Sequence, residues 1–108
     1  MIRIVIFASG SGTNAENIMK YFKNNDVATV VRVLSNNKDA KVLERANKLN
    51  VNNSYFDKSD FFDTESILNL LKEEADIIIL AGFLWKIPKK IINAFPNKII
   101  NIHPALLP

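Results

Sequence analysis

Short runs of β-branched and aliphatic residues alternate along this chain with segments of helical period, and that alternation constrains the fold more than any other feature. Residues 2–8 (IRIVIFA) read as a buried strand closed by a glycine-containing turn. Residues 14–23 follow as a helix with Ile18, Met19 and Phe22 on one face. The second strand is read over residues 29–34 (TVVRVL) and the second helix over residues 38–49, with Val42, Leu43, Ala46 and Leu49 inward and the turn Ser35-Asn36-Asn37 between them. Asn50, Val51, Asn52 and Asn53 break the pattern before a short extended piece at residues 54–56. A third helix is expected over residues 63–74, a strand over 76–80 (DIIIL), a short helix over 88–94 with Pro88 in its first turn, and a last strand over 98–102 (KIINI). Repeated strand, helix, strand units imply right-handed crossovers, and strands that are apolar throughout imply a sheet covered on both sides. The expected class is α/β: a Rossmann-like, mostly parallel sheet with helices on both faces.

Composition narrows the function classes. With 108 residues the chain has room for one domain. It contains no cysteine and a single histidine, which excludes thiolate chemistry and makes a protein-only metal site an unfavourable reading. No apolar run approaches the roughly 20 residues of a membrane span, and the first residues are too short for a signal-peptide core, so no membrane association is expected and a cytoplasmic location is. The net charge of +3 suits anionic ligands. Basic residues are scattered apart from Lys86, Lys89 and Lys90 and are not interleaved with aromatics, so no nucleic-acid partner is expected.

Three constellations could carry chemistry. The first is Ser9-Gly10-Ser11-Gly12-Thr13-Asn14 between the first strand and the first helix. Glycines let the backbone approach a ligand, and a helix start offers free N–H groups and a positive dipole end, which together favour a phosphate. The plain alternative is a permissive turn with Asn14 as the helix cap. A dinucleotide fingerprint is not expected, because its third glycine position is read as Glu16, after Ala15, with no small residue in step, and no acidic residue follows the second strand. No Gly-Lys-Ser/Thr marks a P-loop either. The second constellation is Asn101-Ile102-His103-Pro104 at the carboxyl end of the last strand. Strand alternation puts Asn101 and His103 on one side. An amide that can donate to an oxyanion beside an imidazole that can shuttle a proton equips acyl transfer; the alternative is a lone histidine tied off at a strand end. In the third, Gly82 lets backbone pass a ligand, and Phe83, Leu84 and Ile87 either form an apolar slot for a flat ring or pack their loop onto the core.

Taken together, SGSGTN, SNNKDA with LERA, AGF and NIHPALLP occur in this order along the whole chain and resemble the folate-dependent phosphoribosylglycinamide formyltransferases. NIHPALLP is shared by folate formyltransferases as a group, while SGSGTN points to the glycinamide ribonucleotide branch rather than to relatives acting on methionyl-tRNA or sugars. The resemblance implies formyl transfer from 10-formyltetrahydrofolate to the amine of 5-phosphoribosylglycinamide, through a tetrahedral intermediate, in purine biosynthesis. It places the substrate phosphate at Gly12, Thr13 and Asn14, with Asn101 holding the formyl oxygen and His103 as general acid. The folate contact falls to Leu84, Trp85, Lys86 and Ile87 together with Asn101, with no metal required. The alternatives from other classes are a non-catalytic phosphate-binding module and a formyltetrahydrofolate hydrolase.

The sequence departs from the family in two respects. Many members carry arginine where Trp85 stands, and a basic folate contact before the fourth strand has no clean match, Lys58 being nearest. Members are also about twice as long. The resemblance therefore implies that residues 1–108 are the N-terminal, nucleotide-binding part of a formyltransferase domain, inactive alone. The aspartate that raises the pKa of the catalytic histidine would belong to the part beyond it. An uncovered sheet edge makes self-association into a homo-oligomer an expectation as well.

Overall fold

The computed structural model describes residues 1–102, and residues 103–108 lie outside it. The elements are β1 (Ile2–Phe7), α1 (Thr13–Phe22), β2 (Ala28–Ser35), α2 (Lys41–Lys48), β3 (Asn52–Tyr55), one π-helical turn (Ser59–Asp63), α3 (Ser66–Glu74), β4 (Ile77–Ala81), α4 (Lys89–Ala94) and β5 (Ile99–Ile102). All five strands are parallel, in the order β3-β2-β1-β4-β5. Alternation along the central strand builds the layers. Ile4, Ile6 and Ala8 face one side, where Ala15 and Met19 of α1 and Val42 and Ala46 of α2 cover them. Val5 and Phe7 face the other, under Ile67, Leu68 and Leu71 of α3 and Ile91 of α4. Each large aliphatic side chain buried this way contributes about 1.5–3 kcal/mol. The α/β architecture with helices on both faces is as expected from the sequence. After β3 the chain crosses to the far side of β1 and lays down β4. The order of strand addition thus reverses between β1 and β4, and a crevice opens there at the carboxyl ends of the parallel strands.

Several boundaries differ from the sequence expectations, each for a local reason. Helix α2 starts at Lys41, not at residue 38, because Asn37 Oδ1 accepts the Asp39 N–H at 3.0 Å and Asn37 O accepts the Ala40 N–H at 3.1 Å. That asparagine turn delays the helix. Strand β3 begins at Asn52, so two asparagines assigned to the break pair with β2 opposite Arg32 and Val33. Residues 63–65 are not helical continuations of α3. Asp57 and Asp60 exchange backbone N–H bonds with each other's carboxylates at 2.8 and 3.1 Å, starting a separate turn that buries Phe61. Pro88 caps α4 from outside with ψ 149°, rather than lying in its first turn.

At the amino end of the sheet, Arg3 of β1 grips Asp76, the residue before β4. Its backbone N–H and Nε donate to Asp76 Oδ2 at 2.8 and 3.1 Å, and its Nη2 donates to Oδ1 at 3.1 Å. Chiefly through the side-chain bond from Arg3, the Asp76 pKa is pulled down from 3.8 to about 2. A carboxylate held down in this way stabilises the fold above its unfolded pKa and stops doing so as pH falls through the folded value. Stability is therefore expected to drop between pH 4 and pH 2. Asp76→Asn is expected to melt earlier at pH 7 and to flatten that acid limb, as thermal melts across the range would register. An unchanged acid limb would mean that the Arg3–Asp76 grip does not set it.

Candidate active-site crevice

The chain has three glycines, Gly10, Gly12 and Gly82, and all three lie where β1 and β4 end. Left-handed turns elsewhere are made by Asn24, Asn50 and Asn97, with φ between 58° and 64°. Gly12 has the most specific demand. Its φ is 77°, and a Cβ there would meet the Val42 side chain and lie 2.8 Å from the Val42 Cα. Only glycine lets the loop lie this close to α2, whose Val42 N–H donates to Gly10 O at 3.3 Å. Gly12 is also the cap of α1, and no side chain bonds there. Asn14, which the plain reading made the cap, is instead inside the helix. The Glu16 N–H reaches Gly12 O at 2.8 Å, so the amides of Thr13, Asn14 and Ala15 precede the first intrahelical bond and have no acceptor within the helix. Residues 10–14 line a shallow depression of about 260 Å³ together with Ala81 and Gly82. A phosphate is the chemistry that free amides and a positive helix end favour.

One feature of this loop corrects the sequence reading. Counting from Gly12, the third fingerprint position falls on Ala15, whose small side chain is fully buried where α1 meets the sheet. A small residue is thus in step. The argument against a dinucleotide then rests on β2, which ends at Ser35 and is followed by Asn36 and Asn37 with no carboxylate.

Ser9 ties this loop to the one after β4. Its N–H donates to Gly82 O at 3.2 Å, and its buried Oγ accepts the Leu84 N–H at 2.9 Å. The residues after Gly82 then divide. Phe83 packs on Phe7 with ring centroids 5.2 Å apart, and Trp85 joins Phe56, Phe61 and Phe62 in the same aromatic cluster. Lys58, the nearest basic residue to the expected folate contact, holds its Nζ 5.9 Å from the Trp85 ring centroid, a cation–π distance. Leu84 is 82% exposed, Lys86 is exposed, and Ile87 is buried. Phe83, Leu84 and Ile87 therefore do not form one slot: the first packs inward and the second points to solvent.

An apolar groove does exist beside this segment. Leu80 of β4, Ile87, Ile92 and Phe95 from α4 and its flanks, and Ile99 of β5 line a cavity of about 430 Å³, with Asn97 and Asn101 as its polar lining residues. The Asn101 position is set by register, since it pairs with Leu80 across β4 and β5. Its exposed amide makes no hydrogen bond to the described residues. Sequence reading found Ile87 and Asn101 but missed Leu80, Ile92 and Ile99. His103 lies outside the described residues; the chain reaches it directly after Ile102, the register partner of Ala81. No group of three or more His, Cys, Asp or Glu side chains is placed to hold a metal among the described residues, and no described helix is long and apolar enough to cross a membrane.

Comparison with known proteins agrees with the fold. Residues 2–108 match the formyl transferase family model. The chain is 34% identical to the phosphoribosylglycinamide formyltransferase of Escherichia coli K12, over 99% of this chain and 53% of that protein. It is also 34% identical to the Bacillus subtilis enzyme of the same name, over 100% of this chain and 58% of that protein. Among solved structures, glycinamide ribonucleotide transformylase 1 from Geobacillus kaustophilus superposes with a TM-score of 0.87 at 39% identity, covering 100% of this chain and 61% of that one. The chain thus spans little more than half the length of these relatives.

Proposed function

Because the chain belongs to the formyl transferase family, we propose that it supplies the acceptor-phosphate site and part of the catalytic centre of a phosphoribosylglycinamide formyltransferase. The carrying observation is that two sites of different chemistry meet on one strand. Ala81 and Gly82 line the amide-rich depression, while their neighbour Leu80 lines the apolar groove. An acceptor anchored by its phosphate and a donor with a flat ring can then reach the same strand end from opposite sides.

The donor is 10-formyltetrahydrofolate. The groove suits a flat heteroaromatic ring, with apolar walls and two amide side chains, Asn97 and Asn101, the second of them where the formyl group would lie. When bound, it supplies a formyl carbon open to attack by the acceptor amine. In this proposal Gly12, Thr13 and Asn14 hold the phosphate through backbone amides and the Thr13 and Asn14 side chains. Ile87 lies against the ring, and the backbone of Leu84, Trp85 and Lys86 borders it. Asn101 donates to the formyl oxygen as negative charge grows there. His103 hands a proton to the leaving nitrogen as its bond to carbon breaks, and the proton lost by the attacking amine returns to the imidazole, so the acid is restored.

The test uses the complete polypeptide that carries this chain. Formyl transfer is expected with glycinamide ribonucleotide and to fall at least about a hundredfold in kcat/KM with the dephosphorylated riboside, since the phosphate anchors the acceptor. Equal rates for the two acceptors would remove the phosphate role of the first loop. Formate release without any acceptor would instead favour a hydrolase.

A further inference from the structure

Arg45 of α2 belongs to none of the three constellations, yet its guanidinium reaches the anion loop twice. Its Nε donates to Ser11 O at 2.6 Å, and its Nη1 to Glu16 Oε2 at 3.0 Å. We infer that Arg45 is a positioning residue for anion binding, fixing the Ser11–Gly12 peptide and masking the carboxylate of Glu16 beside the α1 amino terminus. The inference rests on the phosphate reading of the loop.

The peptide argument is geometric. In a trans peptide the C=O and the following N–H point in opposite directions. Holding Ser11 O toward Arg45 therefore turns the Gly12 N–H the other way. Gly12 is free to take many conformations, so without the clamp this peptide could rotate and present its carbonyl to an incoming anion. Val42, one turn before Arg45, holds the adjacent Gly10 O, so α2 grips the loop at two successive points.

The charge argument concerns Glu16, in the first turn of α1. A carboxylate there interacts well with the helix dipole but repels a phosphate seated on the same amides. Arg45 offsets it with a side chain only 29% exposed, whereas Lys20 approaches the other oxygen at 3.5 Å with a side chain 59% exposed. The Arg45 hydrogen bond is also the main reason the Glu16 carboxyl titrates below its usual range, so the masking persists where a phosphate monoester is dianionic.

Ribose 5-phosphate is titrated into the ¹⁵N-labelled complete polypeptide above pH 7, following the amides of residues 10–14. Arg45→Ala is expected to weaken binding by about tenfold with a cooperative melt retained. Arg45→Ala combined with Glu16→Gln is expected to recover part of that loss, because the repulsion is gone. Arg45→Ala within about twofold of the parent overturns the inference. A double variant no better than the single overturns the masking role. If Arg45→Ala fails to fold, Arg45→Gln, which keeps a donor for Ser11 O and drops the charge, isolates the masking role: a severalfold loss that Glu16→Gln recovers is expected, and binding within about twofold of the parent overturns that role. Absence of any titration in the parent removes the phosphate reading and the inference with it, which separates the two failures.

Discussion

Replacing His103 by alanine in the complete polypeptide is expected to lower formyl transfer by about 10²–10⁴-fold, the range for loss of a general acid–base group, while the melting temperature stays within a few degrees of the parent. His103 is the single histidine among residues 1–108. Two residues earlier in the chain, Asn101 lines the apolar groove. The expected phenotype is a fall in kcat with little change in acceptor KM, because the proposed function assigns the phosphate to the loop after β1 and not to His103. Steady-state kinetics alongside thermal melts would distinguish this from a folding defect. Activity within a few fold of the parent would mean that the proton is carried by another group.

Gly12→Ala is expected to be the most damaging change in the anion loop, costing about 2–4 kcal/mol: about 1–2 for placing a β-carbon at positive φ, and the rest for overpacking against Val42. The three glycines provide an internal scale. At Gly82 only φ, 72°, opposes a side chain, and nothing lies within 4 Å of the added carbon, so Gly82→Ala is expected to cost about 1–2 kcal/mol. At Gly10 the space is open and φ is not in the left-handed region, so Gly10→Ala is expected to be close to neutral. Denaturant melts should rank the variants in that order. Gly12→Ala should also lose phosphate affinity beyond its stability cost, since the loop or α2 must move to admit the methyl group. A near-neutral Gly12→Ala would show that the loop can lift from α2 freely, and would weaken the case for a preorganised anion site.

Much of the molecule is legible in the sequence, and the places where it is not share a cause. Periodicity located all five strands and four helices, since the spacing of apolar residues reports which face of an element is buried. It misplaced the starts of α2 and α3 because those ends are set by side-chain bonds from Asn37, Asp57 and Asp60, which compete with the helix for backbone partners. The glycine loop, Asn101 and Ile87 were readable as motifs. The rest of the groove was not, because Leu80, Ile92 and Ile99 look like ordinary core residues on three separate elements.

The sequence by itself determined the α/β class, the glycine-containing turn after the first strand and the family resemblance, because each depends on short-range pattern: periodicity, glycine placement and contiguous motifs. Only the tertiary structure decided that Phe83 and Trp85 serve the aromatic core while Leu80, Ile92 and Ile99 form the open groove, and that Arg45 reaches across to Ser11 and Glu16. Local pattern shows which side of an element is apolar. Which apolar surface stays uncovered, and which distant cation arrives beside a loop, is settled when parallel strands take their register and the helices close over the two faces of the sheet.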